Sequence, residues 1–241
     1  AVREGWLGEI AEVHGHMGKK ASPGLRKELS QYPGGGLFEL ACHLIDALVT
    51  ILGKPNEIRG VHLKTQKDAF KDNQLATFRF EHALATIGSN HNDPFGGPRR
   101  QFTVVGTEGT IAIQPLEPPR LSLSLTKDQG KFKRGTQDVP MPKTEGRYHD
   151  EFRDMAKVVN GEKRLAWDSN HDLIVQQTLL RAAGLPLGGS FKQLTITSPL
   201  ICLLYSRSIN FFHTSPMFAP LLNVWVFLNC ISQCRLFHHF R

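Results

Sequence analysis

No aspartate or glutamate occurs after Asp172, so the last 69 residues carry no acidic side chain. From residue 188 onward Lys192, Arg207, Arg235 and Arg241 are thus uncompensated, and these four supply more than half of the formal net charge of +7. Residues 1–187 hold 25 basic and 22 acidic residues, a balance that offers no basic field and argues against nucleic acid as a partner. Cysteine is equally scarce there: Cys42 stands alone, while Cys202, Cys230 and Cys234 lie beyond residue 187. One thiol makes no intrachain disulfide framework, so this part reads as a reduced, cytoplasmic-type protein. The start, Ala1–Trp6, has neither an initiator Met nor an apolar leader, and a preceding piece is expected to be missing. No internal repeat is found.

What is present is globular in composition: 241 residues, 40% hydrophobic and 21% charged. Glu9–Met17 is β-branched and partly alternating, which predicts a first strand. Ala21–Pro33 reads as a loop or short polar helix between Pro and Gly signals. Leu37–Leu52 is long and apolar enough for one buried helix, stopped by Gly53 and Pro55. Strands are expected at Glu57–Gln66, Gln74–Phe80, Ala83–Asn90, Gln101–Val105, Thr110–Gln114 and Leu121–Thr126. Short turns between them imply an α+β fold with an open, mainly antiparallel sheet. Two helices are expected to follow, Tyr148–Val159 and Ser169–Ala183.

Residues 188–241 differ in kind, with seven of the fifteen Phe and an uncharged run from Ser208 to Cys234. Pro216–Ser232 is about as long as the shortest spanning helix, but two prolines and two asparagines interrupt it. A membrane segment, an added structural piece, and translated sequence never selected to fold are the alternatives. The abrupt change in composition favours the last. Cys230, Cys234, His238 and His239 lack the paired CxxC spacing of a zinc site.

The chemistry concentrates after Gly34, Gly35 and Gly36. On a continuous helix, His43, Asp46 and Thr50 would fall within about 40° of Glu39, a narrow polar stripe on an apolar cylinder. A buried carboxylate needs a partner, water or a ligand, and the glycines would leave backbone amides open to a ligand. Three readings stay open. Glu39 and His43 form an ordinary i,i+4 pair. Glu39, His43 and Asp46 ligate a metal with a fourth ligand from His14, His16 or His91, giving a metal-dependent isomerase or lyase. Or His43 serves as general base, held and polarised by Glu39.

The segment GGGLFELACHLID resembles the GGGxxxDxxxHxxD signature of the Gfo/Idh/MocA oxidoreductases, the glucose-fructose oxidoreductase and inositol dehydrogenase type. REGWLGEI, RRQFTVVGTEGTIAIQPLEPPRL and YHDEFRDMAKVVNGEKRLAWDSNHDLIVQQTLLRAAG extend the resemblance over roughly residues 1–187. It implies the family's C-terminal, substrate-holding domain, which commonly carries the oligomer interface. The partner domain, a Rossmann fold binding NAD or NADP, has no GxGxxG fingerprint in this sequence, and the family's Glu-Lys-Pro segment has no counterpart either. Ala1–Trp6 is expected to belong to the helix just after that segment.

By the same resemblance His43 is the general base on a sugar or cyclitol hydroxyl. Glu39 stands where the family has Asp and binds substrate or orients His43, and Asp46 matches the signature's last Asp. Gly35 and Gly36 approach the cofactor, and Asp46, His14 or His16, His91 and Asn92 are candidate substrate contacts. Arg99 and Arg100 are more plainly read as strand-edge charges, and Trp6 and Trp167 as packing. The expected protein is therefore part of a nicotinamide-dependent sugar dehydrogenase, homo-oligomeric through its sheet and inactive without the missing domain. A non-catalytic, sheet-mediated dimerisation module is the alternative from another class.

Overall fold

The structure, a computed structural model, describes residues 1–141 and 148–187. The expectations for residues 188–241 lie outside the described residues. Eight strands form one open sheet: β1 Ile10–Gly18, β2 Glu57–Leu63, β3 Asn73–Arg79, β4 Leu84–Asn90, β5 Gln101–Gly106, β6 Gly109–Leu116, β7 Pro119–Leu125 and β8 Gly135–Val139. Their spatial order is β2-β3-β4-β1-β5-β6-β7-β8. Every neighbouring pair is antiparallel except β1 with β4, which is parallel. That exception follows from the chain path. It leaves β1, builds α1 Pro23–Leu29, α2 Gly35–Glu39 and α3 Cys42–Leu52, and returns through β2 and β3 before entering β4.

Alternation decides which face is covered. In β3, Gln74, Ala76 and Phe78 are buried and their neighbours exposed; in β7 Leu121, Leu123 and Leu125 are buried. In β1, Val13, Gly15 and Met17 turn inward. A Cβ at Gly15 would stand 2.8 Å from Leu44 Cδ1 and 2.7 Å from Ile87 Cδ1, so glycine lets α3 settle on the sheet. α3 in turn buries Leu44, Ile45 and Leu48 completely, each contributing about 1.5–3 kcal/mol. The final helix, α5 Ser169–Ala182, packs on α3 and on edge strand β2. Asp168 caps it, accepting from the His171 amide at 2.8 Å. The preceding α4, His149–Val159, contains no buried residue.

The opposite face of the sheet is exposed at its β2–β4 end. Val61, Leu63, Leu75 and Leu84 lie exposed on it. Among the described residues no helix is long and apolar enough to cross a membrane.

Two sequence expectations need correction. β8 was not anticipated, because GTQDV is polar and pairs only at the edge, with β7. The single helix Leu37–Leu52 is broken at Leu40 (φ −125°, ψ −43°) and Ala41 (φ −85°, ψ −1°). α2 is pinned to β3 and β4, whereas α3 lies on β1 and α5, and one straight cylinder cannot serve both.

Candidate active site

The glycine run enters α2 through a fold-dictated clamp. Gly35 sits at φ +67°, a conformation that favours glycine. The Gly36 amide donates to the Lys71 carbonyl at 3.0 Å, and the Leu37 amide donates to Gln74 Oε1 at 2.8 Å. Gln74 Nε2 in turn donates to the Gly34 carbonyl at 3.4 Å and meets His62 Nδ1 at 2.9 Å. These amides, expected to stand open, are taken. A Cβ at Gly35 would lie 2.5 Å from Gln74 Oε1, and one at Gly36 2.6 Å from His91 Nδ1. The glycines are thus required by the protein's own packing, and Gly35 and Gly36 offer no vacant cradle to a cofactor.

The break after α2 redirects Glu39. Its carboxylate accepts from Lys19 Nζ at 2.6 Å through Oε1 and from His91 Nε2 at 2.7 Å through Oε2. Glu39 is therefore not the partner of His43, contrary to the helical-stripe reading. His91 is fully buried, with Ser89 Oγ 3.4 Å from Nδ1 and the Phe70 ring edge-on at 5.1 Å. Burial pushes the Glu39 carboxyl up, but the hydrogen bonds and charges of His91 and Lys19 outweigh it and hold it below the usual carboxylate range. Glu39 is accordingly a carboxylate near neutral pH. Lys19 had no signal of its own in the sequence; it is one of two adjacent lysines at the end of β1.

His43 opens α3 and is 4% exposed. Nδ1 lies 4.0 Å from Cys42 Sγ, and no carboxylate pairs with the imidazole among the described residues. No hydrogen bond to His43 Nε2 is found among the described residues. Asp46, one turn on, accepts from His171 Nε2 at 2.9 Å, which ties α3 to α5 and gives it a structural task. With Glu39 committed to Lys19 and His91, and Asp46 to His171, the three residues of the metal reading do not converge. No group of three or more potential ligands is found among the described residues.

The remaining candidates are scattered. His14 and His16 alternate with Val13, Gly15 and Met17, which places them on the face away from α3. His14 meets Thr86 Oγ1 at 2.7 Å and Glu12 at 2.8 Å. Burial, then the charge of Arg99, holds His16 below its ordinary pKa against the opposing pull of Asp93. His16 is thus not gathered with Glu39. Asn92 Oδ1 accepts from Arg26 at 3.4 Å and Nδ2 donates to Thr65 Oγ1 at 3.0 Å, so its side chain is a structural link. Arg99 pairs with Asp93 and Arg100 with Glu117, as strand-edge charges do. What converges is Lys19, Glu39 and His91, with His43 at the start of the next helix.

Residues 1–112 match the family model described as GFO/IDH/MocA C-terminal domain. No curated protein matches the sequence. Among solved structures, levoglucosan dehydrogenase in complex with NADH and L-sorbose aligns with TM-score 0.62 and 18% identity, over 76% of this chain and 58% of that one. Aldose-aldose oxidoreductase from Caulobacter crescentus, complexed with glycerol, aligns with TM-score 0.61 and 18% identity, over 76% and 56%. UDP-N-acetylglucosamine 3-dehydrogenase from Acidithiobacillus ferrooxidans gives 0.60 and 13%, over 76% and 55%. At these identities the likeness is one of fold. The chain spans somewhat over half the length of each structure.

Proposed function

Since residues 1–112 carry the Gfo/Idh/MocA C-terminal domain, we propose that this chain is the substrate-holding part of an NAD(P)-dependent oxidoreductase acting on a CH–OH group of a sugar or cyclitol. The domain is assigned to residues 1–187, with 188–241 outside it. The observation that carries the reading is that an ionised Glu39 and a buried His43, whose imidazole has no carboxylate partner among the described residues, stand on successive helices α2 and α3. Oxidising a carbinol requires its hydroxyl proton to leave as the hydride leaves carbon, and an unpartnered imidazole nitrogen is suited to accept it. Glu39, fixed by Lys19 and His91, would accept a hydrogen bond from a neighbouring substrate hydroxyl, with Lys19 as a donor beside it.

The described residues do not fit the nicotinamide nucleotide. The sheet is not doubly wound, the Gly36 and Leu37 amides are occupied, and a Cβ at Gly35 or Gly36 would run into neighbouring side chains. The hydride acceptor therefore belongs to a separate nucleotide-binding domain. Titrating the chain by itself with NADH is expected to give no saturable fluorescence change. Joined to a nucleotide-binding domain of this fold family, it is expected to form NAD(P)H with members of a sugar and cyclitol panel. Saturable NADH binding by the chain alone, or no turnover of any panel member by the joined protein, would sink the proposal.

The open face of the sheet supports a homo-oligomer. Val61, Leu63, Leu75 and Leu84 are 69%, 55%, 47% and 62% exposed there, an apolar group that a second copy would cover. Light scattering is expected to give a dimer or larger; a monomer at micromolar concentration rules this out.

A further inference from the structure

Lys20–Ala21, α1 and the β2–β3 connection surround an open cavity of about 510 Å³, within the range of roughly 300–1,000 Å³ usual for small-molecule sites. Its charges are unevenly spent. Arg26 in its wall is shared between Asp68 and Asp72, two carboxylates against one guanidinium. Lys20 and Lys27 line the same cavity and pair with no carboxylate among the described residues. Gln66 adds an amide, while Ala21, Pro23 and Ala69 give the wall apolar surface.

We propose that this cavity binds a phosphomonoester of a small organic molecule, its phosphate between Lys20 and Lys27 and its body against Ala21, Pro23 and Ala69. Two ammonium donors converge on the cavity, and counting Arg26 against Asp68 and Asp72 they leave a net positive charge there for an anion. The planar guanidinium fork that would favour a carboxylate is already committed to Asp68 and Asp72.

The cavity is separate from the Glu39 site. Lys19 and His91 bind Glu39. The residues that follow them, Lys20 and Asn92, bridge each other through backbone and turn to the cavity and to Arg26. Successive residues of extended chain point to opposite sides, so this site backs onto the Glu39 site and stands independently of the oxidoreductase reading.

Isothermal titration of the full chain at constant ionic strength tests it, with glucose 6-phosphate, inorganic phosphate and glucose as probes. Saturable one-to-one binding of glucose 6-phosphate is expected, with weaker inorganic phosphate and no heat from glucose. Lys20→Met and Lys27→Met should each weaken binding about tenfold or more. Lys67→Met, which removes the same charge outside the cavity lining, should change it by less than about twofold. The proposal is overturned by absent saturation, by glucose binding as well as its phosphate, by unchanged affinity in the Lys20→Met/Lys27→Met double variant, or by an equal loss in Lys67→Met. Inorganic phosphate binding as tightly as the sugar phosphate overturns the role given to the apolar wall.

Discussion

Arg26→Ala is expected to lower the unfolding free energy by about 3–5 kcal/mol, read as a drop in the urea midpoint. Arg26 is 5% exposed and Asp72 is fully buried. The guanidinium donates to Asp68 at 2.8 and 3.1 Å and to Asp72 at 2.8 Å, and lies over the Phe70 ring. Without it, Asp72 keeps only the Thr65 amide and hydroxyl and the neighbouring amide side chain as partners, and a buried charge loses its counterion. Burial raises the Asp72 pKa, but hydrogen bonds from Thr65 and Arg26 overcome this and set it below the usual carboxylate range. A depressed folded-state pKa stabilises the protein above the unfolded value, and the contribution is lost as pH falls through the folded one. The gap between wild type and Arg26→Ala should therefore be full at pH 7 and narrow on acidification. Adding Asp72→Asn to the variant should recover part of the loss, because the orphaned charge is gone. A midpoint at pH 7 equal to that of wild type would show that the ion pair does not hold this corner of the fold.

That corner was invisible in the sequence. Arg26 and Asp72 are 46 residues apart, and neither belongs to a periodic pattern or a motif. Local alternation did reveal β3 and β7, because one face of each is buried and the other is not. It could not reveal that β1 runs parallel to β4, since that pairing joins Glu12 to Leu84 and depends on the path of everything between. Nor did composition mark β8, whose side chains bury little.

The site was legible in its residues and not in its contacts. Glycine spacing and the Glu39–His43–Asp46 stripe marked this segment as the candidate. The apolar periodicity, however, runs unbroken through Leu40 and Ala41, so the break between α2 and α3 left no trace in it. Once the helix breaks, the angle that put Glu39 beside His43 no longer applies. Glu39 instead finds partners 20 residues before it and 52 after it, brought together because β1 and β4 end side by side. Lys19 is the clearest omission: one of two lysines at a strand end looks solvated until the fold sets a largely buried carboxylate against it.

The same rearrangement separates two roles that a helical pair would have merged. In the protein joined to a nucleotide-binding domain, His43→Ala should reduce kcat about 10²–10⁴-fold, the span usual for losing a general base, with a smaller change in KM. Glu39→Gln removes the charge that fixes Lys19 and accepts from His91, so its main effect should be on KM, through substrate hydroxyls that are no longer positioned. The pH profile distinguishes them. A base must be unprotonated to act, so wild type should lose rate on the acidic side. That limb should disappear in His43→Ala and persist in Glu39→Gln, because Glu39 is already ionised well below neutrality. Added imidazole should restore part of the rate to His43→Ala, which has space where the ring stood, and none to Glu39→Gln. If His43→Ala turns over at the wild-type rate, the base lies elsewhere. If instead Glu39→Gln loses the acidic limb and His43→Ala keeps it, the proton passes to the carboxylate and His43 is only packing.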